Sequence, residues 1–225
     1  MMKKEQYFNL ETIDEESRIL LREIDSFRKK HKILFNPFKS ALLVLDMQRY
    51  FLNPDSHAFI PSAIAIIPKV KPLVEEFRFK NLPVIFTRHL NSNSDAGLMK
   101  TWWRELITED NPESEIIPDL RYNDVKIIRK HQYDAFYQTS LEEILREKNV
   151  QQLVVTGVMT HLCVESTIRS AFIRGFKVFL PVDATATYSR MFHLSSLINL
   201  SHGFAIPVLT KEIIELLKEE HGNGL

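Results

Sequence analysis

Cys163 is the only cysteine in this chain of 225 residues, and it lies where a strand is expected to lead into a helix. Residues 153–155 are apolar and mostly β-branched and Gly157 follows them, which is typical of a buried strand. Apolar residues then recur at helical spacing over 161–174, and Gly175 ends the repeat. The thiol is therefore predicted to lie in the first turn of a helix, where unpaired amides and the helix dipole favour the thiolate.

A lone cysteine is most often a small buried apolar residue, but two other strand ends carry charged side chains. Residues 41–45 form a continuous apolar run, as in a central strand covered on both faces, and Asp46 follows them. A second expected strand, 125–130, ends at Lys130. Ligands of open α/β sheets collect at the carboxyl ends of the strands. A thiol nucleophile needs a proton acceptor and a nearby positive charge, and these two side chains would supply both.

Five segments, in their order and spacing, resemble the isochorismatase-like cysteine hydrolases, a family that includes nicotinamidases, N-carbamoylsarcosine amidase, ureidoacrylate amidohydrolases and isochorismatases. The segments are Leu45–Phe51, Thr101–Trp103, Lys130–Phe136, Thr156–Thr167 and Val182–Ala184. The resemblance runs from about Ser40 to the C-terminus. It implies that Asp46, Lys130 and Cys163 form a catalytic triad. It also implies a cis peptide bond between Val158 and Met159, and an oxyanion hole formed by the backbone N–H groups of Met159 and Cys163.

The activity implied by this resemblance is hydrolysis of the C–N bond of a small amide or ureido substrate through a cysteinyl thioester. Substrate contacts are expected from four residues: Phe51, Trp103, Tyr133 and His161. Trp102, Phe136 and His89 are further candidates, although aromatic residues are often core and a histidine is often a hydrogen-bonded structural group.

Two alternatives stay open. One is hydrolysis of an isochorismate-like enol ether with Asp46 as the acid and without covalent catalysis. The resemblance implies that true isochorismatases lack the nucleophilic cysteine, so Cys163 favours C–N hydrolysis. The other is a catalytically inactive interaction module that docks through its N-terminal helix.

No metal or other cofactor is expected. Nicotinamidases bind a metal through an Asp-x-His motif after the second strand, but here that strand ends with Thr87, Arg88, His89 and Leu90. The segment 55–57 has the letters Asp-Ser-His, but it follows the first strand, and a turn cap at the aspartate is the preferred interpretation.

Alternating strands and helices predict a three-layer α/β/α sandwich around a mostly parallel sheet. Six strands are expected, at 41–46, 83–88, 125–130, 152–157, 177–182 and 204–209. Helices are expected at 62–80, 139–148, 161–174, 190–201 and 211–220. The resemblance implies the Rossmann-like strand order 3-2-1-4-5-6. Residues 1–39, which contain an amphipathic helix, are expected to be a helical extension of a hydrolase domain spanning 40–225.

The amino-acid composition limits the classes of molecule that the protein is expected to bind. Basic and acidic residues balance at 29 each, which gives no electrostatic basis for binding nucleic acid or an anionic membrane. No stretch approaches the roughly 20 apolar residues of a membrane span, and the N-terminus has no apolar signal region. A cytoplasmic protein acting on a small-molecule substrate is expected, and the unpaired thiol fits a reducing compartment. The resemblance implies a homodimer or homotetramer.

Overall fold

In the computed structural model, which describes residues 4–29 and 31–219, a seven-stranded sheet separates two hydrophobic cores. Its strands are β1 (Ser40–Leu45), β2 (Val84–His89), β3 (Lys126–Lys130), β4 (Gln152–Val158), β5 (Lys177–Pro181), β6 (Thr185–Ala186) and β7 (Ile206–Val208). The α-helices are α1 (Ile13–Glu23), α2 (Asp25–Arg28), α3 (Arg49–Leu52), α4 (Ala63–Phe79), α5 (Met99–Trp102), α6 (Leu141–Glu147), α7 (Glu165–Ile173), α8 (Arg190–Gly203) and α9 (Thr210–Glu219).

The sheet is parallel at every strand pair, in the order β3-β2-β1-β4-β5-β7, and β6 pairs with the end of β4. The predicted fold class and order are confirmed, with one addition to the six predicted strands. The extra strand β6 has only two residues, too few to show the alternation by which a strand is recognised in a sequence.

Strand β1 lies at the centre of the molecule, and all six of its residues are buried. Leu42 and Val44 face one core, whereas Ala41, Leu43 and Leu45 face the other, as the two-residue period of a strand requires. A strand covered on both faces has to be apolar throughout, which explains its sequence.

The N-terminal helix α1 also contributes to these cores. Ile13 packs in one core, while Leu20 and Leu21 pack in the other, and the remaining positions of the helix are mainly polar. The apolar stripe predicted from the sequence is thus buried against the sheet layers of the same chain. No helix in the described part of the chain is long and apolar enough to span a bilayer.

Gly157 allows β4 to approach β1 closely. Its φ is +102°, and a Cβ atom built there would lie 2.0 Å from the carbonyl oxygen of Leu45. A side chain would therefore push apart the two strands whose ends carry Asp46 and the Val158–Met159 peptide. Glycine is the residue that tolerates both the φ angle and the close backbone contact.

We expect Gly157→Ala to lower the free energy of unfolding by about 3 kcal/mol or more, since overpacking and an unfavourable φ act together. Gly203→Ala is the matched control, because nothing lies within 4 Å of its added Cβ. Urea denaturation followed by circular dichroism measures both. Equal effects of the two substitutions would contradict this account of Gly157.

Candidate active site

A carboxylate, an amine and a thiol meet at the ends of β1, β3 and β4. Lys130 Nζ lies 2.8 Å from Asp46 Oδ2 and 3.3 Å from Cys163 Sγ. All three residues are buried. The structure thus joins the three side chains of the predicted triad in one cluster, on either side of the point between β1 and β4 where the direction of the crossovers reverses.

Asp46 is held by contacts to two strands. It follows β1 with a φ of 52°, in the left-handed region that aspartate tolerates better than most residues. Its N–H donates to Thr87 Oγ1 at 3.1 Å, and Thr87 Oγ1 donates in turn to Asp46 Oδ1 at 2.6 Å. One carboxylate oxygen is therefore oriented by a hydroxyl and the other by the Lys130 ammonium, which fixes the plane of the group.

Lys130 lies at the end of β3, and its side chain extends past β2 to reach Asp46 at the end of β1. It pairs in register with His89 on β2, and its Nζ lies 3.2 Å from His89 Nδ1 and 2.9 Å from the carbonyl oxygen of Gln132. Burial by itself disfavours the charged amine, but the nearby Asp46 and Cys163 outweigh it and hold the pKa of Lys130 above its ordinary value. The amine is therefore an ammonium ion that donates to the groups around it.

Cys163 lies in an unusual turn at the end of β4. The peptide bond between Val158 and Met159 is cis, and one turn of π-helix, Thr160–Val164, precedes α7. The predicted helix over 161–174 is therefore a π-turn followed by an α-helix. Single π-turns are frequent at functional sites.

The expectation that this turn favours the thiolate is wrong for the resting protein. Burial raises the pKa of Cys163 to about 12, more than neighbouring Lys130 lowers it, and the charge of Asp46 adds to the rise. The helix dipole contributes little beside a desolvation of this size. The resting sulfur is a thiol, and a nucleophilic role requires a proton acceptor in contact with it.

A cavity of about 150 Å³ opens above the thiol. Phe51, Trp103 and Tyr133 line it, together with Met159 and Cys163. Trp103 Nε1 donates to the Tyr133 hydroxyl at 2.9 Å, which links two of the walls. The small volume and the aromatic walls suit a small planar molecule.

Three other candidates lie outside the cavity lining. His161 stacks on Phe192, with ring centroids 4.3 Å apart, and its Nδ1 hydrogen-bonds to Thr187. Trp102 is 75% exposed, and Phe136 is buried in a core. His161 therefore supports the turn that carries the thiol, and of the two candidate histidines, His89 and His161, His89 lines the cavity.

Sequence reasoning missed a polar group at the cavity rim. The Tyr50 hydroxyl donates to Glu105 Oε1 at 3.0 Å, and His57 Nδ1 lies 3.2 Å from the same oxygen. Tyr50 lies in the short helix α3, and His57 and Glu105 lie in the connections after α3 and α5, whose sequences have no period. The signal that the sequence offers is His57, the last residue of the Asp-Ser-His segment at 55–57.

Asp46, His89 and Cys163 present ligand atoms within 4.8 Å of one another, a grouping that could suit a metal ion. However, Lys130 Nζ contacts all three, so the donors surround an ammonium ion that would repel a metal cation. Burial and the charge of Lys130 lower the pKa of His89 to about 4, so its ring is neutral. The donor set fits the lysine better than a metal.

We expect Asp46→Asn and Lys130→Met each to lower the free energy of unfolding by about 3–5 kcal/mol, because each leaves its partner buried and uncompensated. The loss of unfolding free energy in the double variant should be smaller than the sum of the two single losses by at least about 1 kcal/mol. A matched exposed pair is Arg18–Glu15, 3.0 Å apart, whose single alanine variants should change stability by less than about 0.5 kcal/mol. Strict additivity at the buried pair, measured by urea denaturation, would contradict this account.

Comparison with known proteins agrees with the geometry. A family model described as the isochorismatase domain matches residues 40–212. Nicotinamidase 3 of Arabidopsis thaliana is 38% identical over 171 residues, which cover 74% of this chain and 82% of the relative. Enterobactin synthase component B of Escherichia coli (strain K12) is 31% identical over 183 residues, which cover 80% of this chain and 64% of the relative. The crystal structure of a cysteine hydrolase from Pseudomonas syringae pv. phaseolicola 1448A superposes with a TM-score of 0.80 at 27% identity, covering 84% of this chain and 96% of that chain. The chain therefore belongs to the isochorismatase family of hydrolases.

Proposed function

We propose that this protein hydrolyses the C–N bond of a small amide or ureido compound through a cysteinyl thioester, with Asp46, Lys130 and Cys163 as the catalytic residues. The observation that carries the proposal is the contact of one buried ammonium with both the carboxylate and the sulfur, 2.8 and 3.3 Å away, beneath a cavity. Such a group can stabilise a thiolate at the moment it forms.

The first step is proton transfer from Cys163 to Asp46. The thiol has a raised pKa, so the carboxylate must accept its proton as the sulfur attacks the substrate carbonyl carbon. Lys130 keeps its charge throughout and balances the negative charge as it passes from oxygen to sulfur. The carbonyl π bond becomes a lone pair on oxygen, and a tetrahedral intermediate results.

The oxyanion of that intermediate is assigned to the backbone N–H groups of Met159 and Cys163. Cys163 lies within the first turn of its helix, where amides lack acceptors inside the helix, and Met159 lies beside it in the cavity wall. Removing one such donor typically slows a reaction by about 10²–10³-fold. The position of this turn therefore matters as much as the thiol.

Collapse of the intermediate breaks the C–N bond, and Asp46 returns its proton to the departing ammonia or amine. The acyl group is left on sulfur as a thioester. A water molecule deprotonated by the same carboxylate then attacks the thioester, and the acid product leaves as the thiol regains a proton. This sequence uses only these side chains and water.

The substrate class is supported by the cavity and the relatives. Phe51, Trp103 and Tyr133 offer flat apolar walls to a small planar amide. The name nicotinamidase 3 denotes an amidase, and the similar Pseudomonas structure is named a cysteine hydrolase. The cytoplasmic location and the homodimeric or homotetrameric assembly stay predictions.

Ammonia release from a panel of small amides and ureides tests this function. We expect wild type to turn over at least one compound, and Cys163→Ala to lower kcat by at least about 10³-fold, because the covalent route is lost. Ser166→Ala, three residues further along, is the control and should keep the wild-type rate. Mass spectrometry of the quenched reaction should show an acyl adduct on Cys163.

Two outcomes would replace the proposal. A Cys163→Ala variant that keeps its activity, particularly on an enol ether, would point to acid catalysis by Asp46 without a covalent step. A wild-type protein inert to the whole panel, with a thiol of ordinary pKa near about 8.5, would point to a non-catalytic module of the same fold.

The pH dependence of alkylation tests the resting state of the thiol. With the pKa of Cys163 raised to about 12, the thiolate fraction grows as pH rises through neutrality and beyond. The rate of modification by iodoacetamide should therefore rise about tenfold per pH unit past pH 9, whereas urea-unfolded protein should level off near the ordinary value of about 8.5. A plateau below about pH 7 in the native protein would instead indicate a resting thiolate paired with Lys130.

A further inference from the structure

The segment 4–8, here called the N-terminal strap, crosses one side of the cavity. It precedes the residues matched by the family model, which begin at residue 40. Lys4 Nζ donates to the carbonyl oxygen of His57 and lies 4.3 Å from the ring centroid of Tyr188. The N–H of Glu5 donates to the carbonyl oxygen of Tyr188 at 2.8 Å. Since His57 and Tyr188 both line the cavity, the strap joins two of its walls from outside.

Tyr7 extends this contact into the protein interior. Its hydroxyl accepts a hydrogen bond from the N–H of Thr187 at 3.0 Å and lies 3.1 Å from His193 Nδ1. Burial lowers the pKa of His193 to about 3, so the ring is neutral. Thr160 Oγ1 lies 3.0 Å from the same Nδ1. Neither hydroxyl needs to accept from the ring if Nδ1 carries no proton, and its single lone pair is then shared by the two O–H donors; we assign the tautomer on that basis.

Both partners of the Tyr7 hydroxyl lead to the turn that holds the thiol. Through His193 the path reaches Thr160, the residue after Met159. Through Thr187 it reaches His161, which hydrogen-bonds to the Thr187 hydroxyl and precedes Cys163 by two residues. One phenol oxygen thus lies at the junction of two hydrogen-bonded paths, which end at Thr160 and His161, between the two assigned oxyanion donors.

We propose that Tyr7 is a positioning residue, whose hydroxyl sets the orientation of the Met159 and Cys163 N–H groups through His193 and Thr187. The inference rests on the proposed function, in which these two backbone N–H groups stabilise the oxyanion. It assigns the N-terminal strap a part in the reaction although no atom of Tyr7 touches the substrate. Removing the hydroxyl leaves the Thr187 N–H without its acceptor, and the buried network must rearrange.

The test compares Tyr7→Phe with Tyr122→Phe, which removes the same atom from a side chain that packs against the same core but takes no part in this network. The Tyr122 hydroxyl has no hydrogen-bond partner among the described residues. Two reactions of Cys163 are measured in each variant. Alkylation by iodoacetamide requires the sulfur but no oxyanion donors. Reversible addition to benzaldehyde forms an S–C bond, opens the C=O π bond and moves the thiol proton to oxygen, which must then be held by the oxyanion donors.

We expect Tyr7→Phe to weaken benzaldehyde binding about tenfold, less than the 10²–10³-fold of losing a donor outright, with the alkylation rate within about twofold of wild type. Binding is read from protection of Cys163 against alkylation. With an amide substrate in hand, kcat should fall about tenfold while KM changes by less than about threefold, the signature of an interaction that acts mainly in the transition state. Tyr122→Phe should leave all of these values at the wild-type level.

Unchanged benzaldehyde binding in Tyr7→Phe would overturn the proposal, as would a parallel fall in alkylation and binding, which indicates general loosening. If Tyr7→Phe is unfolded by circular dichroism, Thr160→Val removes the hydroxyl at the other end of the path. That variant must show the same selective loss, or the proposal fails. Wild type that forms the adduct but hydrolyses no amide or ureide would contradict the proposed function alone.

Discussion

The contact on which the rest of the site depends is the buried one between Lys130, Asp46 and Cys163. An isolated charge is expensive to bury, so the ammonium and the carboxylate are tolerated at full burial because each compensates the other. The sulfur shares the same ammonium and remains a thiol until a substrate arrives. Folding therefore assembles a site whose two charges balance at rest. In the proposed mechanism, proton transfer moves charge only among these buried groups.

The architecture explains why three residues far apart in sequence meet. Parallel strands end at one edge of the sheet, and β3, β2, β1 and β4 are neighbours there. The side chain of Lys130 passes His89 on the intervening strand to reach Asp46. Gly157 lets β4 approach β1 closely enough for the sulfur to join the pair. Strands β1 and β4 are buried along their whole length, where backbone positions vary little.

Much of this could be predicted from the sequence. Apolar runs such as 41–45 indicated the central strands, and the motif around Cys163 led to the triad, since both are local patterns. The ionisation of the thiol was predicted wrongly, because burial is a property of the folded environment and outweighs the helix dipole. The rim formed by Tyr50, His57 and Glu105 was missed, since residues of separate connections meet through tertiary geometry that no periodicity records.

The rim residues and the proposed catalytic residues lie on different parts of the fold, so substitutions at the two sets have different consequences. The proposed catalytic residues lie at or just beyond the ends of the strands and are buried, so substitutions there disturb folding as well as chemistry. Tyr50, His57 and Glu105 belong instead to connections that lie outside the strands. Under the proposed function, we expect substitutions there to alter which molecules enter the cavity and to leave Asp46, Lys130 and Cys163 in place. Substrate preference can therefore change during evolution through substitutions in these connections. A mutant library designed to change selectivity is best directed to the same positions.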